Sequence, residues 1–255
     1  MDDRPFLPLI TVAAAFITTG ALFSLWEYFV PREKISYKEV IGRDFAALVI
    51  VLGLTVLVEV ITHPIATTIQ ALVGFEWEKC LTDMTPAFWL RLIIFYLVWD
   101  FTLYWFHWVM HRPALWPTHR WHHAPATLWW LSGIRASLFH SLLFQIAFFW
   151  FWLFGLPYWV YLFLLCEFVV RNGWMHVNVH FPGQKYIEYL VVTPRYHAIH
   201  HADVPEFYNQ NMGSLLTIWD RMFGTFIDPE NVDFDNMKYG LKDTPHPARM
   251  IIGID

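Results

Sequence analysis

The chain has 255 residues, of which 56% are apolar, 19% aromatic and 15% charged, with a formal net charge of −5. That is the composition of a membrane protein, and its acidic balance excludes the basic footprint expected of a nucleic-acid binder. The two cysteines, Cys80 and Cys166, argue against a disulfide framework and lack the spacing of a zinc motif.

In chain order, Phe6 to Val30 is largely apolar. At 1.5 Å per residue it reaches about 36 Å, enough to cross a bilayer with some tilt. The start, MDDR, lacks the positive region of a signal peptide, so this run is read as a retained span. Trp26 and Tyr28 fit an interfacial aromatic belt. A charged loop, PREKISYKEVIGRD, leads to a second run from Phe45 to about Ile61, and His63-Pro64 is expected to end it. A polar loop over 64–87 follows. A third run starts at Pro86 and continues through Tyr104. The tract Leu138 to Val170 is too long for one span and is broken by Gly155 and Pro157. It predicts a hairpin of two short helices, 137–154 and 158–180. Beyond His180 the chain turns polar and shows no further span.

Charge sets the expected orientation. The first loop carries Arg32, Lys34, Lys38 and Arg43, whereas the second has Lys79 alone. The positive-inside bias places the first loop in the cytoplasm. The third run then ends on that side, and the hairpin leaves it and returns to it.

Histidine is the chemistry-bearing residue. Asp100 to His123 reads DFTLYWFHWVMHRPALWPTHRWHH and holds His107, His111, His119, His122 and His123. HVNVH (His176, His180) and HAIHH (His197, His200, His201) follow downstream. Residues four apart on a helix differ by about 6 Å along the axis and about 40° around it, so both rings of an HxxxH box reach one metal. HxxHH adds an adjacent, offset imidazole. Ten imidazoles exceed the four ligands of a structural zinc site and suffice for two metals. Ligand type alone leaves Fe, Zn, Cu and Ni open. One histidine among aromatics is usually a packing residue. Four clusters brought to one membrane face are more than packing produces.

These residues also carry a resemblance. The order Asp100…Tyr104-Trp105…His107…His111, then His119-Arg120-Trp121-His122-His123, is followed by His176…Asn178…His180. Thr193-Pro194…His197-Ala198-Ile199-His200-His201, Asn211-Met212-Gly213 and Trp219-Asp220-Arg221-Met222-Phe223-Gly224-Thr225 complete it. The pattern resembles the fatty acid hydroxylase/sterol desaturase superfamily of integral-membrane di-iron enzymes, over about residues 90–228. Two departures are Met212, where the family often has an aromatic, and Arg135-Ala-Ser-Leu-Phe-His140, where it often reads Arg-x-His-Pro-x-Glu. The resemblance implies two iron ions, O2, a lipid substrate, and hydroxylation or desaturation of an unactivated C–H bond. Without a cytochrome b5-like or flavin segment in the chain, it implies a separate electron donor of cytochrome b5 or ferredoxin type with its reductase.

The expected architecture is an all-α integral membrane protein of about four spans with a cytoplasmic, histidine-rich di-metal cap. The expected regions are a two-span segment over 1–87, a catalytic region over 88–228 and a cytoplasmic tail over 229–255. Asp100, His140, Asn178, Asn209 and Asp220 are the candidates for orienting the ligands. Asp100 sits two turns before His107, and a helix-packing role is equally open to it. Asn178 and Asn209 are expected to satisfy local backbone. Glu167 and Arg171 are spaced to pair with each other. Trp129-Trp130-Leu131 reads as an aromatic anchor or as an interfacial stretch beside a substrate entrance. His63 and His246 are set outside the site. A zinc-dependent membrane hydrolase and a metal transporter remain as readings of other classes.

Overall fold

The computed structural model describes residues 7–73, 87–147, 150–151, 154, 156–243 and 246–255. The loop over 74–86, with Cys80 and Pro86, and the expected break at Gly155 lie outside the described residues. Among the described residues the chain is helical and forms no strand, only isolated bridges such as Pro31 with Val179. Among the described residues three helices are long and apolar enough to cross a membrane, namely Ile10–Phe29, Tyr37–Thr62 and Phe88–Met110.

The chain divides into two compact units. The first comprises Met1–Phe45, His122–Arg135 and Tyr158–Thr244. Here α1 (Leu7–Phe29) packs along α6 (Tyr158–His176). Phe16, Thr19, Phe23 and Glu27 recur at spacings of three and four, which sets them on one stripe of α1. A Cβ at Gly173 of α6 would lie 2.9 Å from Phe23, so the two helices approach closely because residue 173 has no side chain. Trp26 packs against Trp174 and Phe181. Glu167 and Arg171 form the expected pair at 3.0 Å, and Arg171 also donates to Ser214. Three short helices follow α6: α7 (Gln184–Ile187), α8 (Pro194–His200) and α9 (Ile218–Phe223). α8 starts as Thr-Pro dictates. Thr193 caps it by accepting from the Tyr196 N–H, and Pro194 takes the first position, where no N–H is needed.

The second unit comprises Ala46–Trp121, Ala136–Pro157 and Pro245–Asp255. It contains most of α2 (Tyr37–Val73), then α3 (Phe88–Met110), α4 (Trp116–His119), α5 (Leu138–Ala147) and α10 (Pro247–Ile252). α3 buries Phe95, Trp99, Asp100, Leu103, Tyr104 and His107 on one stripe and packs against α4 and α5. Trp150 donates its indole N–H to Thr102 across that packing.

Three expected boundaries moved, the first being the start of α2, which lies at Tyr37 inside the expected charged loop. α2 does not stop at His63-Pro64 but runs through Pro64 to Val73. Proline removes one ladder bond, and a long apolar helix tolerates that loss. α6 ends at His176 rather than at residue 180, because Val179 leaves the helix to bridge Pro31 while the Arg32 N–H donates to the Asn178 carbonyl.

Replacing Gly173 by leucine forces α1 away from α6. The expected cost is about 1–3 kcal/mol of stability, read as a lowered thermal unfolding midpoint in detergent.

Candidate metal centre

In the first unit, four buried histidines converge: His122 from the segment after α4, His176 at the end of α6, His197 in α8 and His201 just beyond it. Each offers one ring nitrogen, and these four atoms lie within 4.8 Å of one another. The Nδ1 atom of His176 is 2.8 Å from the Asn172 carbonyl, and that of His122 is 3.3 Å from the Arg135 carbonyl. A carbonyl only accepts, so each Nδ1 carries the proton and each Nε2 keeps its lone pair. His176 Nε2 then stands 3.2 Å from His201 Nε2 and 3.3 Å from His197 Nε2, which are 3.0 Å from each other. Ligands held 2.0–2.1 Å from a tetrahedral ion stand about 3.3 Å apart. The observed triangle has that edge, and the residues present fit a divalent metal.

The acid–base state agrees. Burial, and then the neighbouring His123, His197, His122 and His176, hold His201 well below the usual imidazole range. A neutral ring is the form that binds metal. His123 stacks on His201 with ring centroids 4.3 Å apart and lies 4.7 Å from His200. His200 Nδ1 is 2.9 Å from the Gln210 carbonyl, which again leaves Nε2 as the ligand atom.

The second unit brings together His107 and His111 at the end of α3 with His119 at the end of α4. His107 Nε2 is 3.0 Å from His119 Nε2, and the His111 ring lies 5.1 Å from both neighbours. His140, on α5, is buried with its Nδ1 3.2 Å from His119 Nδ1. It therefore touches the histidine group directly. Ser137 holds this turn by donating to the Thr118 carbonyl and accepting from the His140 N–H.

Not every expected site residue joins these groups. His180 is exposed and lies beyond the end of α6, 3.3 Å from the Gln184 amide, so the one-face relation with His176 does not form. Asp100 is buried on the α3 stripe that carries Tyr104 and His107. Asn178 clips the loop after α1, accepting from the Glu33 N–H and donating to the Glu33 carbonyl. Asn209 is exposed in a left-handed turn. Asp220 accepts from the N–H groups of Met212 and Gly213, from Thr225 and from the Tyr196 hydroxyl. Burial raises its pKa, against those four donors. It reaches the histidines through Tyr196, the neighbour of His197. Trp129 is buried, whereas Trp130 is half-buried against Phe16 and donates its indole N–H to Ser24 at an exposed position. His246 is exposed, and His63 lies within α2.

Sequence reasoning missed the backbone carbonyls of Asn172, Arg135 and Gln210, which no side-chain pattern announces. It also missed Gly133, where a Cβ would lie 2.2 Å from His176 Nδ1. Asn211 was legible only as part of a motif. It is buried, and its side chain ties the Tyr196 carbonyl to both backbone groups of Ile227.

Residues 92–225, just over half of the chain, match the family of fatty acid hydroxylases. The chain belongs to that family. Among curated proteins it is 31% identical to an alkylglycerol monooxygenase of Xenopus tropicalis over 143 residues, 56% of this chain and 31% of that one. It is 27% identical to the ornithine lipid hydroxylase OlsE of Rhizobium tropici over 238 residues, 89% of this chain and 70% of that one. It is 32% identical to a Delta(7)-sterol 5(6)-desaturase of Aspergillus fumigatus over 150 residues, 54% of this chain and 40% of that one. The match thus spans about a third of the alkylglycerol monooxygenase. No solved structure matches the chain.

Gly133→Ala pushes the ring of His176 out of line. Metal affinity of the purified protein is expected to fall about 10–100-fold, the usual effect of disturbing a group that orients a ligand. Titration of the apoprotein with Fe2+ or Co2+ measures it.

Proposed function

We propose that this protein is a membrane-embedded, O2-dependent oxidoreductase that hydroxylates a C–H bond of a lipid with two bound irons. The observation that carries the reading is the group of His122, His176, His197 and His201, with the Nε2 atoms of three rings mutually 3.0–3.3 Å apart. These four hold one iron, and His107, His111 and His119 are three of the ligands of a second. His123 and His200 belong to the same ligand set by their motifs. His180 is left out of it on its exposed position. Asp100, His140 and Asp220 position the ligands, while Asn178 and Asn209 shape the backbone around them.

When bound, iron and O2 supply the oxidising power that an unactivated C–H bond requires, which no side chain of this protein has. Hydroxylation takes one oxygen atom into the substrate and reduces the other to water, so two electrons and two protons must be delivered. They come from a separate donor of cytochrome b5 or ferredoxin type with its reductase. Desaturation would remove two hydrogens and yield two waters from the same inputs, and the similarity to a sterol desaturase keeps it as the second reading. The ornithine lipid hydroxylase, matched over 89% of this chain, favours hydroxylation.

In this reading the spans number about four. The catalytic region is 88–228, and the site faces the cytoplasm. The contacts of the first unit favour a common side. The loop after α1, which carries the positive charges, bonds to Asn178, two residues past His176.

The test is metal analysis of the purified protein together with mass spectrometry of total lipids from expressing cells, beside a His176→Ala control. The expected result is iron in the native protein, its loss in the variant, and a lipid bearing one added oxygen only with the native protein. His180→Ala should keep both the iron and the product. Loss of two hydrogens instead would establish a desaturase. Zinc with no O2-dependent product would replace the reading with a hydrolase.

A further inference from the structure

The family match begins at residue 92, and the two N-terminal helices carry none of its motifs. They nevertheless bury two carboxylates, Glu27 in α1 and Asp44 in α2, each 1% exposed. Burying a carboxylate is costly unless donors surround it, and both are surrounded. Glu27 Oε1 accepts from the backbone N–H groups of Trp130 and Asn178, each at 2.8 Å, and Oε2 accepts from the Tyr37 hydroxyl. Asp44 accepts from the Trp129 indole at 2.6 Å and forms an ion pair with Arg135.

Three of these five donor residues, Trp129, Trp130 and Arg135, lie in one segment, residues 129–135. Its start is held by Glu27 and Asp44, and its end by Asp44. Between them Gly133 lies against His176, and the Arg135 carbonyl accepts from His122 Nδ1. Glu27 also fixes Asn178, two residues after His176. Two of the four converging rings are thus aligned through backbone that α1 and α2 hold in place. We infer that Glu27 and Asp44 are positioning residues of the His122–His176–His197–His201 group, so that the N-terminal helices are part of the metal site's frame and not only its anchor. The function assigned to the group rests on the reading above, but the alignment of its rings does not.

Glu27→Leu keeps the bulk and strands two buried N–H groups. Glu27→Gln keeps an oxygen where both N–H groups meet, because they share Oε1. The purified full-length protein is titrated with Fe2+ and Co2+. Separately, the apoprotein is treated with diethyl pyrocarbonate, and modification of each histidine is read by peptide mass spectrometry. Glu27→Leu is expected to weaken metal binding about tenfold or more and to raise modification of His122 and His176 several-fold over the exposed His246. Glu27→Gln should recover most of both. Native-like binding and modification in Glu27→Leu would overturn the inference. If the native protein binds neither metal but Glu27→Leu still unmasks His122 and His176, the metal reading falls and the positioning role stands. Where Glu27→Leu does not fold, Asp44→Asn, which removes the charge facing Arg135, decides by unmasking His122 or leaving it protected.

Discussion

A neutral imidazole has one proton, and the atom that holds it decides what the ring can bind. At His122, His176 and His200 a backbone carbonyl claims Nδ1–H, and Nε2 is left with its lone pair. Everything else in the first unit follows from keeping those carbonyls where they are. The Asn172 carbonyl belongs to the helix that carries His176, so its geometry is built in. The Arg135 and Gln210 carbonyls lie in irregular segments, and irregular segments must be pinned. Asp44 and Glu27 pin the first. Around the second, Asn211 and Asp220 tie the following turn to Tyr196, which sits between Arg195 and His197 on α8.

The lipid environment explains why these pins are so polar and so deep. A span exposes apolar side chains to the bilayer and saves its buried stripe for contacts with protein. α1 spends that stripe on Phe23 against Gly173, and at its last turn on a carboxylate. A carboxyl group there is tolerable because three donors meet it and because it lies at the end of the helix. α3 has the same plan, with aromatic rings along its buried stripe and His107 and His111 at its end. Helix ends are where a membrane protein can gather polar groups without exposing them to hydrocarbon.

Much of the site is legible in the sequence because imidazole ligation is a local code. Residues 107 and 111 share a helix face by spacing alone, and 197 and 200 do so on α8, with 201 as the adjacent, offset ring. The helical class and the three long spans follow from hydropathy, which is also local. The same reasoning overreached at His180. It assumed that the helix carrying His176 continued, whereas Val179 is drawn off to pair with Pro31. Pro64 misled in the opposite direction, since one missing bond does not end a helix whose surroundings are apolar.

The sequence by itself determined the ligand type and its spacing, histidines in boxes at the ends of apolar helices, which is a pattern suited to metal ions. Tertiary structure decided which rings meet and which nitrogen each one offers. It placed His140 beside His119, sent His180 outward and recruited Glu27 and Asp44 from helices with no motif. The physical reason is range. Ligand type and helical spacing are properties of neighbours in the chain. A tautomer is set by whichever carbonyl the fold brings within about 3 Å, from residues 10 to 13 positions away at His200 and His122, the latter's Arg135 held in turn by Asp44, 91 positions distant.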